Sequence, residues 1–265
     1  MANIASCIDK LNKNNQKALS VFLTAGYPDK NDFVRLALEV LENGADMLEI
    51  GIPFSDPIAA GPVIQQASQK ALRAGITMDH IFNYVREIRS QTGKPLILMG
   101  YANPVMRYGI KSFIETGVES GVNGVIVPDI PLEEYDGFWG TPRELPEVIQ
   151  LTTPTSTEAR IKAIDARSRG FVYCVSVTGT TGGNTAFDVH TLENVKRTYQ
   201  ILQKNKMLIG FGISGPEDVR IFAPYCDGVI VGSAVIRRLQ GESGNRNYTP
   251  ALELISELSE ACHEF

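Results

Sequence analysis

Glu49 ends the apolar run Asp46–Ile50 and precedes a loop stiffened by Gly51, Pro53, Pro57, Gly61 and Pro62. A lone carboxylate at a strand end, facing a rigid loop, is how an acid/base group is presented to a substrate. Flanked by Leu48 and Ile50, it is expected to be half-buried, which raises its pKa toward a value useful for proton transfer. A surface carboxylate, or one paired with an arginine, is the alternative. Asp56 lies inside the same loop and suits an Asx-type turn or a partner-facing contact, because the PFSDP run at 53–57 holds its backbone. Asp129, after Val127 and Pro128, could orient a loop by hydrogen bonding as easily as touch a substrate. The histidines, His80, His190 and His263, are not placed as triad bases, and no His/Cys/Asp grouping has metal-ligand spacing.

Late in the chain the chemistry is of another kind. Glycine crowds the runs TGTTGG at 178–183 and GFGISG at 210–215, and the pair Gly232-Ser233 follows. Backbone N–H groups exposed by glycine, with the N-terminus of a helix starting at Ser233, make an anion site; tight turns are the plainer use of such glycines. Phe22, Ile64, Met99, Ile126, Tyr173 and Phe211 could line a slot for a flat apolar ligand or be ordinary core, and periodicity does not separate the two. No Walker A pattern is present.

The elements that must position these residues are short apolar runs, each followed by a helix-length segment. Strands are predicted near Leu19–Leu23, Met47–Ile50, Leu96–Gly100, Gly124–Val127, Val148–Leu151, Phe171–Val175, Met207–Phe211 and Gly228–Val231. Helices are predicted over Lys30–Asn43, Met78–Ser90, Ile110–Ser120, Thr157–Ala166, His190–Leu202 and Pro216–Tyr225. Start signals stand at Thr77 with Asp79, at Ser214 with Glu217, and in the cluster from Thr155 to Glu158. Strands apolar throughout are buried on both faces, which indicates a parallel sheet covered by helices. Eight strand–helix units in about 250 residues match an α/β fold of the (β/α)8 TIM-barrel type, one domain over residues 1–265. An open doubly wound sheet would want a GxGxxG turn after the first strand, and the run from Thr24 to Pro28 is not one. One helix fits poorly: Gly137, Gly140, Pro142 and Pro146 crowd Leu132–Gly140, so a turn or two and an irregular link are expected there.

At 265 residues and 43% hydrophobic the chain can bury a full core. Its formal charge of −5 is spread over mixed acids and bases, with no basic stripe for nucleic acid and no basic amphipathic helix for a membrane surface. The cysteines, Cys7, Cys174, Cys226 and Cys262, are far apart; Cys174 and Cys226 sit in apolar contexts as small buried hydrophobes. With no apolar signal region at the start and no long apolar run, a soluble cytoplasmic protein is the expectation.

Seven motifs carry a specific resemblance: VFLTAGYPD at Val21–Asp29, LEIGIPFSDP at Leu48–Pro57, YANPVMRYG at Tyr101–Gly109, VPDIPLEE at Val127–Glu134, GFVYCVSVTGTTG at Gly170–Gly182, GFGIS at Gly210–Ser214 and DGVIVGSA at Asp227–Ala234. In that order and spacing the chain resembles the tryptophan synthase alpha subunit over nearly its whole length. The resemblance implies a carbon–carbon lyase of tryptophan biosynthesis that cleaves indole-3-glycerol phosphate to indole and glyceraldehyde 3-phosphate by a retro-aldol reaction. It implies no cofactor in this subunit, and a partner: a PLP-dependent beta subunit, in an alpha2-beta2 heterotetramer. Glu49 aligns with the acid that protonates the ring and accepts the hydroxyl proton. Phe22, Ile64, Met99, Tyr101, Ile126, Tyr173 and Thr181 fall on substrate-binding positions, and Gly182, Phe211, Gly212, Gly232 and Ser233 on the phosphate cradle. Val177–Val189 matches a mobile lid. Pro53, Asp56, Pro57, Asn103 and Pro131 fall on the partner-facing loops. The departure is Ala60, which stands where the family carries a second catalytic aspartate, an acceptor for the ring N–H. Two expectations follow. The chain is a lyase weakened at that step, or it is an inactive alpha-like subunit that binds ligand and activates the beta subunit. A barrel enzyme with a changed substrate is a third, disfavoured by the complete Phe22, Glu49 and Tyr173 set.

Overall fold

The computed structural model describes residues 3–142, 144–176, 189–210, 212–239 and 247–265. Nine strands are formed among the described residues: β1 (Ala18–Thr24), β2 (Met47–Gly51), β3 (Leu96–Met99), β4 (Gly124–Ile126), β5 (Glu147–Val148), β6 (Gln150–Thr152), β7 (Val172–Val175), β8 (Met207–Gly210) and β9 (Gly228–Val231). All pair in parallel, in the order β5-β4-β3-β2-β1-β9-β8-β7-β6. The two edge pieces are consecutive in the chain and separated only by Ile149, whose N–H reaches the Val125 carbonyl at 3.0 Å. The strand expected over Val148–Leu151 is thus two pieces, one paired to each neighbour, and a (β/α)8 TIM barrel is closed through that residue.

Alternation along the strands sorts side chains into two cores. Leu19, Val21, Leu23, Leu48, Ile50, Leu98, Ile209, Val229 and Val231 face outward into the layer of helices. Ala18, Met47, Ile97, Ile126, Ile149, Tyr173, Leu208 and Ile230 fill the barrel interior. The continuous apolar runs in the sequence are the mark of this two-sided burial. Small residues make room for large ones inside: a Cβ at Gly51 would lie 2.3 Å from Phe22 Cζ, and one at Gly210 would lie 2.0 Å from Tyr173 Oη. The two aromatic rings of the site are seated by those absent side chains.

The helix Ile4–Lys13 was not foreseen, although Ile4, Ile8 and Leu11 have helical spacing. It joins the interior cluster, with Ile4 and Ile8 fully buried, and so plugs the barrel. Glu147 ties its start, accepting from the Ile4 N–H at 3.0 Å and from Asn3 Nδ2 at 2.9 Å.

Several boundaries differ from expectation for local reasons. The helix expected from Lys30 starts at Phe33, because Asp32 is engaged by Arg35 and by the Tyr248 hydroxyl rather than opening a turn earlier. Thr77 does cap the helix Met78–Arg89, but its reciprocal partner is His80; Asp79 accepts instead from the Tyr108 hydroxyl. At Pro216–Phe222 the carboxylate that closes the turn is Asp218, not Glu217, accepting from the Ser214 and Gly215 N–H groups. Over 132–140 the chain makes a 3-10 turn, Leu132–Glu134, then a single short helix, Tyr135–Trp139, as its glycines and prolines require. Ion pairs from Arg160 to Glu133 and from Arg167 to Asp136 fasten this segment to the helix Glu158–Arg167. All four cysteines are free, and Cys174, Cys226 and Cys262 are buried. No helix among the described residues is long and apolar enough to cross a membrane.

Candidate active site

The C-terminal ends of the strands open into one cavity of about 1130 Å³. Glu49 lies at its base with no exposed surface. Its place follows from register: Glu49 pairs with Phe22 on β1 and with Ile97 on β3, inward between them. The Ser20 hydroxyl donates to Oε1 at 2.8 Å, whereas Oε2 is buried with no hydrogen-bond partner among the described residues. Burial raises the Glu49 pKa from its ordinary 4.5 to about 7, and the Ser20 bond opposes that rise. The sequence predicts half-burial, and the residue is fully buried because Leu48 and Ile50 face the outer core while Glu49 itself points into the barrel. Burial pushes the Tyr173 hydroxyl well above its usual range, and the neighbouring Glu49 adds to the shift.

Around this acid the cavity brings together Phe22, Ile64, Met99, Tyr101 and Tyr173. Ile126 is not part of the wall: it is fully buried one layer deeper, among Ile97, Ile149 and Leu208. Val127, Ile130 and Leu151 take the wall positions in its place, since the cavity begins only where β4 ends. Tyr101 accepts the Ala59 N–H at 3.1 Å, which fastens the loop after β2 across the mouth. On the opposite side Gly212, Gly232 and Ser233 face the cavity. Gly212 has φ +87°, a backbone state suited to glycine, and Ser233 Oγ is buried without a partner among the described residues. An orphaned hydroxyl beside helix-start N–H groups is a donor set for an anion. Arg237 also lines this end and was not foreseen; it lies one turn after Ser233 on the helix Ser233–Arg238, a spacing visible in the sequence. Thr181, Gly182 and Phe211 lie outside the described residues, as does all but the last residue of the expected lid Val177–Val189.

Ala60 lines the cavity at 7% exposure. Its carbonyl accepts from Gln65 Nε2 at 2.8 Å, so the backbone there is held although the side chain is only a methyl. The described carboxylates lining the cavity are Glu49 and Asp218, and Asp218 is already taken by Ser214 and Gly215. Asp56 is exposed and does not reach the cavity; its partner is the adjacent Ser55 hydroxyl. Asp129 holds the start of the helix Ala102–Tyr108, accepting the Ala102 N–H at 3.0 Å. Of the expected partner-facing residues, Pro57 and Pro131 line the cavity, Asp56, Asn103 and Pro131 are exposed, and Pro53 is buried. Ile58, on the loop of Asp56, and Met106, on the helix Ala102–Tyr108 that carries Asn103, are exposed at 77% and 57%.

A parallel (β/α)8 barrel with a buried acid at the base of a cavity lined by aromatic side chains, at the C-terminal ends of its strands, has the architecture of the barrel enzymes. Comparison with known proteins narrows this. The sequence model of the family described as Tryptophan synthase alpha chain matches residues 8–263. The tryptophan synthase alpha chain of Geotalea uraniireducens is 44% identical over 246 residues, covering 92% of each chain. Among solved structures, the tryptophan synthase alpha chain of Legionella pneumophila superposes with a TM-score of 0.88 at 34% identity, over 99% of this chain and 97% of that one. The aminoacrylate-bound tryptophan synthase of M. tuberculosis gives 0.85 at 31% identity, over 98% of this chain and 100% of that one. The chain belongs to the tryptophan synthase alpha chain family.

Proposed function

We propose that this chain cleaves indole-3-glycerol phosphate by a retro-aldol reaction, with Glu49 as the proton-transfer group and with turnover weakened by Ala60. The observation that carries the reading is Glu49 itself: buried, raised to about 7, and with one oxygen unpartnered at the base of the cavity. The side chain cannot leave an aromatic indole until ring carbon C3 is protonated. A neutral Glu49 supplies that proton. The resulting carboxylate accepts the proton of the side-chain hydroxyl as the C–C bond breaks, releasing the aldehyde and restoring the indole. The acid ends the cycle as it began, so no cofactor is needed in this chain. Phe22 and Tyr173 would hold the ring. Gly232, Ser233 and Gly212 would take the phosphate through N–H and hydroxyl donors.

In the protonated ring the N–H carries positive charge, and a carboxylate at position 60 would stabilise it. Alanine leaves that charge unmatched. Loss of one such electrostatic partner costs about 10²–10³ in rate. The same substitution favours a second reading, an alpha-like subunit that binds ligand and activates a PLP-dependent beta subunit through the loop bearing Asp56 and the helix bearing Asn103. Exposed Ile58 and Met106 on those two segments are consistent with a partner.

Steady-state release of indole from indole-3-glycerol phosphate, with and without a beta subunit, tests both. Weak release abolished by E49Q, and raised about 10²-fold or more by A60D, is the expected result. A gain under about tenfold would refute the account of position 60. No release by either protein, with ligand binding that still stimulates the beta subunit, would leave the regulatory reading.

A further inference from the structure

The proposed cycle uses one carboxylate twice, and its two oxygens are not equivalent in this barrel. Most inward positions of the strands carry apolar side chains or glycine; Ser20, fully buried, is a polar one two residues before Phe22. Its hydroxyl reaches Glu49 Oε1 at 2.8 Å, and Oε2 is left without a partner. We infer that Ser20 is the positioning residue for Glu49: by donating to Oε1 it confines the mobile proton to Oε2, the oxygen with no partner among the described residues. This rests on Glu49 being the proton-transfer group.

The chemistry follows from the donor's direction. An oxygen that accepts an O–H is the carbonyl oxygen of a neutral acid, so the acid's own proton sits on the other one. When Oε2 gives its proton to a substrate carbon, the Ser20 bond becomes charge-assisted and strengthens. Ser20 therefore stabilises the carboxylate more than the acid, and eases departure of the proton to carbon. The groups packed around Glu49 leave Ser20 as the adjustable one. Tyr173 on β7 is the titratable neighbour and stays neutral, because burial raises it well above its ordinary range. Phe22 on β1 and Ile97 and Met99 on β3 cannot titrate.

The test is the titration of Glu49 in the full chain, followed by the infrared carbonyl band that E49Q removes. S20A is expected to raise the midpoint by roughly one to two pH units, the worth of a hydrogen bond to a charged group. S20T, which keeps the hydroxyl, should return it to near the parent value. For any cleavage measured, S20A should lower kcat with KM little changed and move the alkaline limb of the pH profile with the infrared midpoint. If S20T does not fold, S20G serves as a second hydroxyl-free variant and must shift the midpoint in the same direction as S20A. An unchanged or lowered midpoint in S20A overturns the inference, even if cleavage depends on Glu49. A raised midpoint with no cleavage by any variant leaves Ser20 as the partner of Glu49 and removes the proton-transfer reading instead.

Discussion

A carboxyl group kept away from water is a poor anion, and a poor anion is what the proposed transfer of a proton to carbon at neutral pH asks of Glu49. Its rise from 4.5 to about 7 is caused first by burial, so its acidity and its cost to the fold are one property. Below pH 4.5 folded and unfolded chains both hold the proton. Between 4.5 and 7 the unfolded chain releases it and the folded chain does not, so this residue's contribution to stability falls as pH rises, and is lost above about 7. E49Q, neutral and of similar shape, should match the parent in urea unfolding at pH 4.5 and exceed it at pH 8 by on the order of 3 kcal/mol. Equal stability at both pH values would show that Glu49 titrates normally. Catalysis should have the same sign, with kcat/KM declining above pH 7 as the proton donor is lost. At this scale the sequence was informative about type and not about environment. Glu49 was legible as an acid at a strand end. Ser20 was not, because nothing in an apolar run tells which cross-strand residue a serine will meet.

Elements explain why the aromatic residues of the cavity are where they are. Phe22 and Tyr173 occupy space that Gly51 and Gly210 vacate on the neighbouring strands β2 and β8. A methyl at Gly51 would press on Phe22 Cζ at 2.3 Å inside a closed ring of strands, where neither side can retreat far. G51A is expected to cost about 1–3 kcal/mol in chemical denaturation, as overpacking does. F22L removes the ring atoms in the way, so the double variant should be less destabilised than the sum of its parts. Strict additivity would mean that the glycine is not there for the ring. Strand spacing and apolarity were enough to read the barrel from the sequence, because two-sided burial writes itself into composition. The division of 147–152 into β5 and β6 was not readable, since it depends on how the last gap in the ring is closed. The misplacement of Ile126 has the same origin: alternation gives the inward face, but not the depth at which packed core ends and cavity begins.

For the molecule as a whole, a cavity at one end of the barrel is useful only if the other end is shut. The helix Ile4–Lys13 does this, with Ile4 and Ile8 inserted among Ala18, Met47, Ile97, Ile126 and Phe171. Its far end is tied as well, since Asn12 Nδ2 donates to the carbonyls of Gln16 and Asp227. A peripheral segment would contribute little to global stability, whereas a plug whose side chains complete the inner core is part of the cooperative unit. I8A should therefore cost about 2–5 kcal/mol in equilibrium urea unfolding, the range for truncating a buried aliphatic side chain. K10A, an exposed substitution on the same helix, should stay within about 0.5 kcal/mol and serves as the control for helix propensity. If I8A costs no more than K10A, the helix is an appendage and the inner core is complete without it. With the predicted loss, the inner core holding Met47 and Tyr173 continues without a break from that helix to the base of the candidate active site.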